Sequence, residues 1–228
     1  MNDRSKIILN TIIREHIATG EPVASGVLVE KYKLGISPAT VRNEMADLEQ
    51  EGLIIQPHTS SGRIPTEKAY KLFIENIEVK KVPKSVTNNL DSFLAKKDEE
   101  GFKQSAKEMA GYSQLAVFWA FHRHNVYYTG ISNLLHQPEF RRMELVYDMG
   151  EIIDRVDEIV NDIFDDIKEE PKILLGEENP FGGFCGTILA KYKISSNYGM
   201  FGILGPMRMD YEKYLGVIKY VLEKINVK

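Results

Sequence analysis

Residues 36–65 read ISPATVRNEMADLEQEGLIIQPHTSSGRIP, and the order of signals in them decides the fold of the first part of the chain. Ser37 is an N-cap residue. Pro38 falls in the first turn, where its missing N–H would have had no helical partner. Val41, Met45 and Leu48 follow at i, i+4 and i+7, so one face of this helix is buried. Gly52 supplies the left-handed residue at which a helix stops. A short apolar strand at Leu53-Ile54-Ile55 comes next, then a polar loop over 56–62, then a returning strand at Arg63-Ile64. Helix, strand, Gly/Ser-rich loop and strand are the recognition helix and wing of a winged helix-turn-helix domain.

With Val41, Met45 and Leu48 turned inward, the opposite stripe is Ala39, Asn43, Ala46 and Gln50: small residues and two amides, with no carboxylate. Small side chains let a helix sit deep in a major groove, and Asn or Gln reads adenine in a bidentate way. Ser37, Thr40 and Arg42 lie near the N-terminal end, which meets base edges and phosphates in helix-turn-helix docking. Glu44, Asp47, Glu49 and Glu51 fall to the sides or further along. In the wing loop, His58, Thr59, Ser60, Ser61 and Arg63 bring hydroxyls, an imidazole and a guanidinium to a hairpin tip, which suits phosphate or minor-groove contact. The candidate DNA-binding residues are therefore Ser37, Ala39, Thr40, Arg42, Asn43, Ala46, His58, Thr59, Ser60, Ser61 and Arg63.

Working back from that stretch, residues 3–19 repeat apolar positions at Ile8, Ile12, Ile13 and Ile17 on a helical period, with Gly20 as a stop signal. Ser25 is expected to cap a short helix through about Tyr32, with Val27, Leu28 and Tyr32 available for packing. Lys33-Leu34-Gly35 makes the turn into the recognition helix. Three helices with a short, Gly-containing link between the second and third form a helix-turn-helix arrangement.

The composition is that of an ordinary globular chain: 228 residues, 43% hydrophobic and 27% charged. A net charge of −4 does not advertise nucleic acid. Over residues 1–80, ten Lys and Arg stand against eleven Asp and Glu. That excludes a strongly electrostatic, non-specific binder and leaves a site-specific one whose few basic groups are well placed. A single cysteine, Cys185, rules out an intramolecular disulfide and suits a reducing cytoplasm. No signal peptide and no long apolar run is present, so a cytoplasmic protein without membrane contact is expected.

The run GEPVASGVLVEKYKLGISPATVRNEMADLEQEGLIIQPHTSSGRIPTEKAY closely resembles the N-terminal domain of the HrcA family of bacterial heat-inducible transcription repressors. The segments TGISNLLHQPEF at 129–140 and GEEN…GILGPMRMDYEKYLGVIKYV at 176–221 are similar to the same family. The resemblance implies a homodimeric repressor on double-stranded operator DNA, an inverted repeat of the CIRCE type upstream of chaperone operons. It also implies a GroEL-type chaperonin partner that helps keep the repressor active until heat titrates it away. Typical members are longer and carry an inserted dimerising domain inside a GAF-like part. Here the first strands lead almost directly to TGISNLLHQPEF, so dimerisation is expected through the GAF-like domain or the connecting helix.

Beyond the wing, Thr66 caps a helix with Tyr70, Phe73, Ile74 and Ile77 on one face. Residues 78–89 are polar and broken by Pro83, which reads as a linker. Residues 90–116 read as one connecting helix. From Leu115 the pattern turns aromatic and β-rich, with strands at 115–121, 125–131, 173–175, 187–192 and 199–204. Helices are expected over 139–147, 152–167 and from about 210 to 225. The fold class is α+β, with a winged-helix domain at 1–78, a linker and connecting helix at 79–112, and a GAF-like α+β domain at 113–228.

Little in the second half speaks for catalysis. Cys185 with His122, His124 or His136 is the one nucleophile pair to consider, and a lone Cys among Gly and Phe is more often a small buried residue. His122 and His124 would share one strand face but lack further metal ligands. The Gly-rich stretch 176–183 lacks the Lys-Ser/Thr ending of a phosphate loop and carries two acids. Arg208 is expected to pair with Glu177 or Glu178, and Asp210 to cap the last helix. The expectation is a repressor that is not an enzyme and needs no cofactor or metal. The alternative is a ligand-responsive winged-helix regulator whose GAF-like domain binds a small molecule.

Overall fold

The computed structural model describes residues 1–226 apart from Leu34 and Ser60. Its contacts divide the chain into two compact units, Met1–Ile77 and Glu78–Lys228. The first unit contains α1 (Asp3–Thr19), α2 (Ser25–Tyr32), α3 (Pro38–Gln50), a hairpin of β1 (Ile54–Ile55) and β2 (Ile64–Pro65), and α4 (Glu67–Ile74). The side chain of Asn2 caps α1 by accepting from the Ser5 N–H, and Gly20 ends it at φ 73°. Ile8, Ile12 and Ile13 of α1 are buried with Leu28, Val41, Leu48, Ile54 and Tyr70, which makes one small core.

Two details differ from the sequence reading. Ser25 is the first helical residue of α2, and Ala24 holds the cap position without a side-chain bond. The cause is a bridge from further along the chain. Val23 exchanges both backbone hydrogen bonds with Arg63, at 2.8 and 2.9 Å, which keeps the backbone extended up to Ala24. The helix after the wing also stops at Ile74, short of the helix EKAYKLFIENIEV expected through 79.

Buried polar groups tie the helices together. Glu15 of α1 accepts from Lys31 Nζ at 2.6 Å and from the Tyr32 hydroxyl at 2.7 Å. The Lys31 bond first, and the Tyr32 bond after it, pull the Glu15 carboxyl below its ordinary value of 4.5.

In the second unit, α5 (Lys84–Leu94) and α6 (Glu99–Ser113) precede a five-stranded antiparallel sheet in the order β4-β3-β7-β6-β5. Its strands are β3 (Ala116–His122), β4 (Asn125–Thr129), β5 (Lys172–Leu175), β6 (Cys185–Ile194) and β7 (Asn197–Pro206). Between β4 and β5 run α7 (Ile131–Leu135), a 3₁₀ turn (Pro138–Arg141), α8 (Met143–Asp154) and α9 (Val156–Ile163), and α10 (Tyr211–Asn226) closes the chain. Residues 116–120 are buried on both faces of the sheet. Trp119 stacks between Phe102 of α6 and Phe201 of β7, with ring centroids 5.0 and 4.7 Å away, and donates to the Tyr192 hydroxyl. Phe118 points the other way, against Phe181. Helices on both faces of an antiparallel sheet give the α+β, GAF-like arrangement.

The segment 79–112 corrects the expectation of a linker and a single connecting helix. It forms two helices, broken at Lys97 (φ 49°) and restarted by Asp98, whose carboxylate caps α6 through the Gly101 N–H. Leu90, Leu94, Phe102, Ala106, Met109 and Ala110 are all buried, so these helices belong to the second unit's core. The expected helices at 139–147 and 152–167 are instead the 3₁₀ turn, α8 and α9. His122, Arg123 and His124 are not a strand face: His122 ends β3, and Arg123 and His124 form the hairpin turn, with Arg123 paired to Asp165. Arg208 pairs with Glu139 and also donates to Gln137 at 3.0 Å. Asp210 does cap α10, accepting from the Lys213 N–H at 3.0 Å.

Two outcomes follow. Phe102→Ala should destabilise the second unit by about 3–5 kcal/mol, read by denaturant unfolding. Because the native Glu15 pKa lies below 4.5, its pairing contributes stability above that value and is lost as pH falls through the lower native pKa. Glu15→Gln should therefore melt below wild type at neutral pH, and the gap should close in acid.

Candidate nucleic-acid interface

Helix α3 is bonded inside the chain at both ends and on one side. The Ser37 hydroxyl accepts from the Thr40 N–H at 3.1 Å and lies 2.9 Å from the Thr40 hydroxyl. At the other end the Gly52 N–H bonds the Glu49 carbonyl at 3.0 Å and the Leu53 N–H bonds the Leu48 carbonyl at 2.9 Å. That is a Schellman stop, with Gly52 at φ 70° where a side chain would be strained. Lys68 Nζ also reaches the Glu51 carbonyl at 2.8 Å. Val41, Glu44, Met45 and Leu48 form the buried side. Glu44 is held there by the Ser5 hydroxyl at 2.7 Å and by Arg4 at 3.5 Å.

The opposite side is open. Ala39, Arg42, Asn43, Ala46 and Gln50 are all exposed. Arg42 makes one contact, from Nε to the Pro38 carbonyl at 3.3 Å, which lays it along the N-terminal turn. Asp47 is exposed beside the stripe.

In the wing, β1 and β2 pair antiparallel with Ile54 opposite Pro65 and Ile55 opposite Ile64. His58 and Thr59 are exposed at the turn. Ser61 is committed internally: its hydroxyl accepts from the His58 N–H at 3.0 Å and donates to the His58 carbonyl at 2.7 Å. Ser60 lies outside the described residues. Arg63 is not at the hairpin tip but at its base, half-buried, with Nε 3.0 Å from Glu49. Its guanidinium therefore joins the wing to the C-terminal half of α3.

Two wing residues escaped the sequence reading. Gln56 donates from Nε2 to the Thr59 and Ser61 carbonyls, both at 3.0 Å, and so folds the loop from inside. Its signal was only an amide placed just before a turn-forming Pro. Gly62 is needed for close approach, because a Cβ there would stand 2.4 Å from the Val23 carbonyl carbon and 2.8 Å from the Ala24 nitrogen.

The family described as "HrcA protein C terminal domain" matches residues 55–215. The chain belongs to the HrcA family. A relative from Thermobifida fusca (strain YX), described as "Heat-inducible transcription repressor HrcA", is 45% identical over 96 residues, which is 42% of this chain. The match spans only 28% of that relative's length. An HrcA of the same description from Thermoanaerobacter sp. (strain X514) is 26% identical over 331 positions, covering 99% of this chain and 96% of its own. A chain of 228 residues set against 331 aligned positions means that this HrcA relative carries a long stretch without a counterpart here. Among solved structures, one titled "Crystal structure of a hypothetical protein at 2.2 A resolution" superposes with a TM-score of 0.79 at 18% identity, over 99% of this chain and 97% of its own, and shares the fold.

The HrcA-like motifs of the second unit are structural. From TGISNLLHQPEF, Asn133 donates to the Ala110 carbonyl at 3.2 Å and Gln137 to the Gln114 carbonyl at 3.1 Å, which docks α7 on the end of α6. Glu139 of the same motif takes Arg208 of GPMRMDY. Asn179 of GEEN is buried, donating to the Cys185 carbonyl at 2.9 Å and accepting from Thr187 at 3.1 Å. Cys185 is itself fully buried, and desolvation pushes its thiol far above the ordinary value, so it is no nucleophile. No group of three or more His, Cys, Asp or Glu that could hold a metal ion occurs among the described residues. No helix among them is long and apolar enough to cross a membrane.

Gly62→Ala should break the Val23–Arg63 bridge and lower the stability of the first unit by about 1–3 kcal/mol. The check is amide exchange at Val23 and Arg63, which should accelerate while the second unit's amides keep their protection.

Proposed function

We propose that this protein is a sequence-specific, DNA-binding transcription repressor of heat-shock and chaperone operons, acting as a homodimer on an inverted-repeat operator of the CIRCE type. Residues 1–78 hold the DNA, and the GAF-like domain pairs two copies. The observation that carries the reading is α3. A helix with satisfied ends and a buried inner face presents an exposed outer side of alanines, amides and one arginine, Arg42, which is bonded only along its own N-terminal turn among the described residues. Membership of the HrcA family, with relatives described as heat-inducible transcription repressors, supports the same reading.

In this reading Ala39 and Ala46 allow close approach to the groove floor, and Asn43 reads a base edge. Arg42 reads a base edge or a phosphate. Ser37 and Thr40 sit at the positive end of the helix dipole, where a phosphate is favoured. His58, Thr59, Ser60 and Ser61 place the wing turn beside the backbone. Arg63 engages Glu49 through Nε, and its terminal nitrogens retain donors for phosphate or minor groove. The protein works in the cytoplasm, is not an enzyme, and uses a GroEL-type chaperonin as the partner that keeps it active. A small-molecule sensor is the less favoured reading. The apolar cavity between the sheet and α8–α9, lined by Phe118, Ile152, Val156 and Phe181, measures about 20 Å³, space for roughly one water.

The test is footprinting on an inverted-repeat chaperone-operon promoter, run beside a mass measurement in solution. Protection should be two-fold symmetric, with half-sites one helical turn or a multiple of it apart. Arg42→Ala and Asn43→Ala should each cost about 1–3 kcal/mol on the preferred operator. Arg63→Ala should weaken binding more evenly across sequences. If all three variants bind as wild type does, the docking through α3 is wrong.

A further inference from the structure

Helix α8 is apolar on two sides. Met149 is fully buried, and Leu145, Ile152 and Ile153 lie half-buried on the same inner face. The outer face carries Met143, Val146, Tyr147 and Gly150 at i, i+3, i+4 and i+7, the spacing with which one helix seats on another. Met143 is 59% and Tyr147 68% exposed, the two most exposed large apolar side chains of the chain's described residues. Gly150 is exposed in mid-helix, and a Cβ there would meet nothing within 4 Å. Nothing among the described residues calls for glycine at this position.

The charges of α8 point to what covers it. Arg141 and Arg142 stand at its start, with Glu144 alone opposing them at 3.8 Å from Arg142, while Asp148, Glu151 and Asp154 lie toward its end. A helix dipole favours the reverse order, acids first and bases last. Arg155, just past the end, is already taken by Glu158 at 2.9 Å. A second α8 running antiparallel resolves each feature at once. Its acidic end meets the basic start of the first, the two dipoles oppose, and Tyr147 of each copy lies over Gly150 of the other. The stripe is complementary to itself, as a two-fold interface must be.

We propose that α8 is the surface through which two copies of this chain pair, antiparallel about a two-fold axis. The inference rests on the reading of a dimeric repressor and names the interface that reading leaves open.

The test uses the full chain and sedimentation equilibrium. Gly150→Gln improves an exposed helix position, so it should fold at least as stably as wild type. It should nonetheless raise the dimer dissociation constant about tenfold or more by holding the helices apart. Arg142→Glu and Asp154→Arg should each weaken the dimer, and the two together should restore it. Binding to an inverted repeat should fall with dimerisation while binding to a single half-site stays unchanged. A wild-type dimer indifferent to all of these changes would overturn α8 as the interface and leave the repressor reading standing. A wild-type monomer whose Tyr147 is shielded only when a chaperonin is added would overturn it in favour of that partner. A wild-type chain that protects no inverted repeat, whatever its mass, would count against the repressor reading itself.

Discussion

Glu44 is the hinge of the first unit's logic. It lies on the inner face of α3, almost buried, and is satisfied by the hydroxyl of Ser5 and the guanidinium of Arg4. A carboxylate taken out of water without partners costs several kcal/mol, so this bond fixes how α3 is turned about its own axis. Turning the helix by one residue, about 100°, would carry Thr40, Asn43 and Asp47 into a core with nothing to bond them. The same contact that buries one carboxylate therefore holds the amide-and-alanine stripe outward. The wing inherits its position from this setting, because Arg63 reaches back to Glu49 on the same helix.

Local signals made much of this legible. Ser37, Pro38 and Gly52 marked the limits of α3 within a residue or two, and the i, i+4, i+7 spacing of Val41, Met45 and Leu48 named its buried side. What stayed hidden depends on partners distant in sequence. Ser25 looked like a cap because nothing nearby announces that Val23 pairs with Arg63 across forty residues. The segment 79–112 looked like a linker because Pro83 and a polar run mimic one. A proline just before a helix costs nothing, however, and Phe102 declares its purpose only against Trp119. Glu139 becomes a partner of Arg208 for the same reason, across 69 positions of sequence. Within the candidate interface, the exposed stripe of α3 was readable from periodicity. The commitments of Ser61 to His58 and of Arg63 to Glu49 were not, since each turns a side chain of suitable chemistry toward its own chain.

The second unit is built for rigidity more than for chemistry. Cys185 is sealed in the core, and His122 and His124 lie at the β3–β4 turn, where the His124 N–H donates to His122 Nδ1 at 3.3 Å. Its recurring motifs join elements: Asn179 ties a loop to β6, Asn133 ties α7 to α6, and Arg208 ties the start of α10 to the 3₁₀ turn before α8. A body so cross-linked can hold a partner at a fixed distance, which is what a pairing domain has to do. Among the described residues, its most exposed large apolar side chains, Met143 and Tyr147, both lie on α8.

Under the proposed function, charge explains why a pairing domain would be needed at all. With ten basic and eleven acidic residues over 1–80, the proposed DNA-binding unit carries almost no net attraction for a phosphate backbone. Counterion release, which supplies most non-specific affinity, contributes little to it. Discrimination then falls on a few base-edge contacts of about 1–3 kcal/mol each, too few on one helix for tight binding. Joining two units turns the second contact into an intramolecular one, at an effective concentration in roughly the millimolar range. The gain multiplies specific contacts without adding indiscriminate ones, so a chain this acidic loses little to bulk DNA. On the proposed function, the exposed polar stripe of α3 and the exposed apolar stripe of α8 answer a single constraint: a weakly charged reader becomes selective only in pairs.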